Sequence, residues 1–108
     1  MENTRIMFLR NESYRPVGCI AITVNRHSKT ASYQFSVLNP ADNFDRKIAR
    51  QLAIGRLVEK PIDVNIPNNA SMHDISESVM VDLAFTERAP TRAIKAAKLW
   101  LQYNLRTC

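Results

Sequence analysis

The chain has 108 residues, 45% apolar and 23% charged, with a formal net charge of +5 and a pI near 9.6. That is enough for one domain, residues 1–108, whose core needs no metal or disulfide support, and no apolar run approaches the roughly 18 residues of a membrane span. Two glycines rule out a glycine-rich phosphate loop, and two cysteines rule out a disulfide framework.

The N-terminus, Met1-Glu2-Asn3-Thr4-Arg5, leads into a short apolar stretch only, unlike a secretory signal. Ile6-Met7-Phe8-Leu9, flanked by Arg5 and Arg10, reads as a first strand, and Asn11-Glu12-Ser13 as a turn. Val17 to Val24 is apolar on both of its alternating faces, which suits a central strand. Cys19 inside it reads as a small buried hydrophobe, whereas Cys108 is terminal; the pair fits a cytosolic, reducing setting. Asn25 to Lys29 is a connection of hairpin length. Beyond it Ala31, Tyr33, Phe35 and Val37 alternate with Thr30, Ser32, Gln34 and Ser36, one face apolar and one wet. Residues 17–24 and 30–38 are therefore expected to form an antiparallel hairpin.

A helix is expected over residues 39–57. Asn39 suits the N-cap, Pro40 the first helical position, and Asp42 and Asp45 the positive end of the helix dipole. Phe44, Ile48 and Leu52 recur every four residues as a packing stripe, widened by Ala49 and Ala53 and aimed at the Tyr33/Phe35/Val37 face. Gly55 projects near this stripe and predicts close approach of the helix backbone to its neighbour. Arg46, Lys47 and Arg50 point away from the stripe, roughly with Ile54 and Leu57, as a solvated face or as a contact for phosphate or protein.

Ile62, Val64 and Ile66 alternate between Pro61 and Pro67, which favours an extended edge segment. Ser71 and Asp74 have capping-box spacing, and Met72, Ile75, Val79 and Leu83 follow at helical period. The β-branched, aromatic stretch Val79–Phe85 leaves a strand as the rival. Pro90 opens a last helix to about Leu105, with Ile94, Ala97, Leu101 and Leu105 buried and Trp100 beside them. Its opposite side carries Arg88, Arg92, Lys95, Lys98 and Arg106, interleaved with Leu99 and Tyr103.

Charge falls in blocks. Residues 1–60 hold ten Lys/Arg against five Asp/Glu, residues 61–87 hold five Asp/Glu and no Lys/Arg, and residues 88–108 hold five Lys/Arg and no acid. The cations of the last helix can therefore be neutralised by Asp74, Glu77 and Asp82, or can meet nucleic acid or an acidic protein. Catalytic signatures are missing. His27 sits in the hairpin loop and His73 in a first helical turn, each without a partner that would make it a base. No zinc spacing links Cys19, Cys108, His27 and His73. The expectation is a protein that is not an enzyme and needs no cofactor or metal.

The segment from Tyr33 to Leu57, with Asn39-Pro40, Asp42, Phe44, Arg46-Lys47, Arg50, Ala53 and Gly55-Arg56-Leu57, resembles a stretch of small bacteriophage proteins in which it also follows a β-hairpin. The resemblance covers about a quarter of the chain and carries over no functional residues. It implies a phage-encoded accessory protein. Such proteins are commonly binders that inhibit host machinery, including restriction and CRISPR systems.

The fold expected is α+β: an antiparallel sheet of three to four strands packed against a central helix and a C-terminal helical pair. The function expected is docking on, and inhibition of, a host nucleic-acid-handling protein or nucleoprotein with an acidic or phosphate surface, in the host cytoplasm. The alternative is direct binding of DNA or RNA. The contact residues expected are Arg46, Lys47, Arg50, Arg88, Arg92, Lys95, Lys98, Leu99 and Tyr103; no membrane is involved, and a homodimer is open.

Overall fold

The computed structural model describes residues 4–38 and 44–105. In chain order it has β1 (Arg5–Arg10), β2 (Pro16–Asn25), β3 (Thr30–Val37), α1 (Arg46–Glu59), β4 (Ile62–Asn65), α2 (Met72–Phe85) and α3 (Thr91–Leu105). The strands form one antiparallel sheet in the order β1-β2-β3-β4, so β1 and β4 are its edges. The fold is α+β, with α1 on one face of the sheet and the α2–α3 hairpin on the other.

Strand pairing explains why both faces need cover. The register Ile22↔Tyr33, Ile20↔Phe35 and Gly18↔Val37 puts the large apolar side chains of β2 and β3 on one face. There Ile20, Ile22 and Tyr33 are buried with Ile75, Val79, Met80 and Leu83 of α2 and Ala93, Ala97 and Leu101 of α3. The intervening residues Cys19 and Ala21 form a second, smaller core with Ala49, Ala53 and Leu57 of α1. Burial pushes the Cys19 thiol up to about 11, only partly opposed by the positive charge of Arg50. Tyr33 is buried, and its hydroxyl donates to Asp82 Oδ2 at 2.5 Å, which meets the polar atom's need for a partner. Burial first, then this bond and the Asp82 charge, hold the phenol well above its ordinary range.

The central helix differs from expectation in three ways. It begins at Arg46 with Asp45 as N-cap, the Asp45 carboxylate accepting from the amides of Lys47 (2.9 Å) and Ile48 (3.2 Å). Asn39, Pro40 and Asp42, expected to start it, lie outside the described residues. Its buried stripe is Ala49, Ala53 and Leu57, whereas Ile48 and Leu52 are 49% and 42% exposed. It also packs on the Cys19/Ala21 face, not on the Tyr33/Phe35/Val37 face, and Leu57 points inward rather than with the basic face. The reason is distance: alanines let the helix axis come close enough for Ser36 Oγ to donate to the Ala49 carbonyl at 2.7 Å, where bulkier side chains would hold it off. Phe44 precedes the helix and packs edge-on against Phe8, ring centroids 6.0 Å apart.

The remaining elements follow their start signals. Ser71 and Asp74 form the capping box, Ser71 Oγ accepting from the Asp74 amide and Asp74 Oδ2 from the Ser71 amide, each at 3.1 Å, so residues 72–85 are helix rather than strand. The Ser71 amide and hydroxyl hold the Asp74 carboxyl below its usual range. β4 is a four-residue edge strand next to Pro61. In α3 the buried residues are Ala93, Ala96, Ala97 and Leu101; Ile94 is half-buried, and the Leu105 side chain lies outside what is described. Among the described residues no helix is long and apolar enough to cross a membrane.

Close backbone approach occurs at Gly18, not at Gly55. A Cβ added at Gly18 would run into the Ser36 carbonyl, with Val37 Cα also only 3.2 Å away, whereas one added at Gly55 meets nothing within 4 Å. The two glycines therefore respond oppositely to alanine. Gly18→Ala should lower the melting temperature sharply, since strand backbone cannot yield as a flexible side chain does. Gly55→Ala should raise it, because the helix gains up to about 1 kcal/mol of propensity. Thermal melts of the two single mutants check both signs.

Candidate binding site at the free edge of the sheet

Among the described residues β1 lies at the sheet edge with β2 as its one strand neighbour, and α3 packs beside it. Its pairing with β2 is regular from Arg5↔Ile22 to Leu9↔Gly18 and shifts between Leu9 and Arg10. Between this edge, the following turn and α3 runs a cleft of about 280 Å³, walled chiefly by Met7, Tyr14, Leu99, Trp100 and Tyr103. A smaller hollow of about 180 Å³ continues it along α3, sharing Asn11 and Leu99 and adding Arg92, Lys95 and Glu12.

The turn that builds the cleft is wired by Asn11. Its Oδ1 accepts from the amides of Ser13 and Arg15, both at 3.0 Å, and its backbone amide donates to the Arg15 carbonyl at 2.9 Å. The Tyr14 amide donates back to the Asn11 carbonyl at 2.9 Å, which sets Tyr14 in the left-handed region at φ 61°. A bulky residue there is strained by about 1–2 kcal/mol. The result is a tyrosine 65% exposed, edge-on to Tyr103 with centroids 6.4 Å apart. Arg10 covers its ring, the guanidinium carbon 4.7 Å from the centroid, and donates to the Tyr14 carbonyl at 3.2 Å.

Of the contact residues expected from the sequence, Lys95, Leu99 and Tyr103 come together on the flank of α3 that faces this turn. Arg92 joins them but is partly committed, its guanidinium donating to the Leu38 carbonyl. Arg46 reaches β1 from the opposite face, 5.3 Å above the Phe8 ring. The others lie apart. Lys47 and Arg50 are exposed on α1, and Lys98 sits 5.9 Å from the Phe85 ring at the α2 side of the hairpin. Arg88 lines a different hollow with Phe35, Lys60 and Asp82.

Sequence reasoning missed Arg10, Tyr14 and Trp100 as members. The Asn11-Glu12-Ser13 turn signal pointed to the place, although not to the conformation that turns Tyr14 onto Tyr103.

Acids collect on the β4 side: Asp74, Glu77 and Asp82 line a shallow groove of α2 against Val64 and Asn65 of β4, with Pro67, and Asp82 also borders the hollow that holds Arg88 and Lys60. Asp74 accepts from the Ser71 amide and Asp82 from the Tyr33 hydroxyl, and Asp63 on β4 accepts from Ser32. Among the described residues no three His, Cys, Asp or Glu side chains are grouped so as to hold a metal ion. His27 is exposed in the hairpin loop and His73 lies against Trp100, ring centroids 5.9 Å apart. The arrangement as a whole is suited to contact: aromatic and apolar walls, cations at the rim and an open strand edge. No family model, curated protein or solved structure matches the chain.

Strain and contact at Tyr14 can be separated by substitution. Tyr14→Gly removes the aromatic but relieves the left-handed backbone, so its melting temperature should stay above that of Tyr14→Ala, which loses the ring and keeps the strain. The order of the two melts checks the reading; equal or reversed midpoints would mean that the turn is not under strain.

Proposed function

We propose that the protein is a non-catalytic accessory protein, of the kind phages encode, which docks through its β1 edge on a host nucleic-acid-handling protein or nucleoprotein and blocks it in the host cytoplasm. One observation carries this reading: the exposed Tyr14–Tyr103 pair under Arg10, beside an open strand edge and next to Lys95. Aromatic and arginine side chains dominate binding energy at protein interfaces, where they combine apolar area with directed polar contact. The acidic groove beside β4 disfavours approach of an acidic or phosphate-bearing surface there and so turns it toward β1.

Direct nucleic-acid binding is the second reading. It is favoured by the same arginine–tyrosine stack, which can take an unpaired base on its aromatic face. The two readings diverge in solution. A phosphate-backbone contact weakens steeply as salt rises, by a slope that counts the phosphates neutralised.

The test uses bacteria whose restriction or CRISPR system blocks a test phage. Producing the protein should raise the plating efficiency of that phage, and Lys95→Glu should abolish the gain without altering the melt, because Lys95 is exposed. Arg92 is unsuitable for this purpose, since reversal would break its bond to Leu38. No gain against any of a panel of defence systems, together with tight, salt-sensitive binding to an oligonucleotide, would move the assignment to the second reading.

A further inference from the structure

Resting on that docking reading, we infer that the partner presents an extended acidic segment, which adds to the sheet as a fifth strand along the free edge of β1.

The two sheet edges are treated differently by the sequence. β4 is four residues long, with Pro61 just before it and Pro67 just beyond, and carries Asp63, devices that blunt an edge against pairing. β1 has six residues, no proline and an apolar centre, Ile6 to Leu9, between two arginines. Along Arg5–Leu9 its backbone is regular, and every second residue directs its N–H and C=O away from β2. These groups are what an incoming main chain bonds in strand addition, while alternate side chains of the incomer fall to either side of the sheet.

Both sides have a receptor. On the α3 side the cleft beside Met7, Leu99 and Trp100, about 280 Å³, has room for one large apolar side chain. On the α1 side Arg46 lies over Phe8, where an acidic side chain of the incomer would be met. Among the described residues Glu12 is the only acid lining the cleft and its continuation, against Arg10, Arg92 and Lys95. An apolar–acidic alternation fits, with the acids toward Arg46 and the apolar residues toward the cleft, while the cations around the cleft favour a segment of net negative charge.

A second copy of the chain fits poorly. Antiparallel pairing of β1 with itself across a two-fold axis sets residues of one face opposite each other, Arg5 against the other copy's Leu9, so Arg5 of each copy comes beside Arg10 of the other at both ends, and like charge gathered there disfavours the pair. Single-stranded nucleic acid could use the aromatics but would leave the outward N–H and C=O groups of β1 without main-chain partners.

The test uses a labelled ten-residue peptide that alternates glutamate with valine and has one central phenylalanine. Two further versions are N-methylated, one on every apolar residue and the other on every glutamate. A lysine-for-glutamate version and a ten-nucleotide oligo-dT complete the set. The expected result is saturable binding of the acidic peptide, and binding more than about tenfold weaker for the lysine version. One methylated version should lose binding while the other keeps it, because only alternate amides of a strand face a given neighbour. Amide exchange should slow at every second residue of Arg5–Leu9, and Tyr14→Gly should weaken binding.

Equal binding of the two methylated peptides, or equal binding of the lysine peptide, overturns strand addition. Binding of oligo-dT alone also overturns it but leaves the nucleic-acid reading standing. Dimerisation of the protein through β1, detected by sedimentation and strengthened by Arg5→Glu, which sets opposite charge beside the other copy's Arg10, would replace the peptide by a second copy. Absence of binding to every probe overturns the inference, while the docking function is judged separately by the infection assay.

Discussion

The fold depends on β2 being apolar on both faces. A strand flanked by two neighbours, with Ile20 and Ile22 on one side and Cys19 and Ala21 on the other, cannot leave either side in water. One helix layer is therefore insufficient, and the chain supplies two of different thickness. Above the isoleucines sits the α2–α3 hairpin, whose Ile75, Val79, Met80 and Leu83 fill a deep core. Above Cys19 and Ala21 there is little volume to fill, and α1 answers with alanines that bring its backbone down to Ser36. Gly18 belongs to the same compact region, since any side chain there would strike β3.

That asymmetry decides what could be read from the sequence. The strand hairpin, the edge character of β4, the capping box and the last helix were legible because each rests on local chemistry: alternation, proline, or a hydroxyl beside a free amide. The face of α1 was not. Phe44, Ile48 and Leu52 form the most hydrophobic four-residue repeat, but the alanines beside them make the tighter contact, and transfer free energy alone does not register closeness of packing. Ser36 misled for the same reason. On a strand whose alternate residues are polar it reads as facing water, yet it is buried because its hydroxyl finds the Ala49 carbonyl. A polar side chain with a satisfied hydrogen bond can sit in a thin core at small cost.

The candidate site was half legible. The cations and Leu99 and Tyr103 of the last helix stood out by their spacing, and the three charge blocks were plain in the chain. Their spatial meaning needed the sheet order: with β1 and β4 at opposite edges, and α3 against β1 while α2 meets β4, alternation in sequence becomes polarity in space. Several cations then prove to be structural. Arg26, Arg56 and Arg92 each donate to a main-chain carbonyl, of Ala70, Phe35 and Leu38 respectively. Charge counting cannot separate such staples from free contact residues, and Tyr14 was hidden altogether because its orientation comes from a backbone angle that tyrosine seldom adopts.

The arginines that close β1 at either end reconcile two demands on an open strand. An apolar edge is a hazard, since any extended chain can add to it, its own copies included. Proline or an inward charge would remove the hazard and the edge together, as on β4. Terminal arginines act otherwise: they gather like charge wherever a second β1 approaches, and under the proposed docking they would favour a chain carrying acids. On that proposal the positive charge of the chain and the unblunted β1 act together, repulsion between copies providing discrimination that contact area alone cannot. The strained Tyr14 turn adds a fixed aromatic wall beside that edge, and an exposed side chain held at a conformational cost is better explained by something outside the molecule than by anything within it.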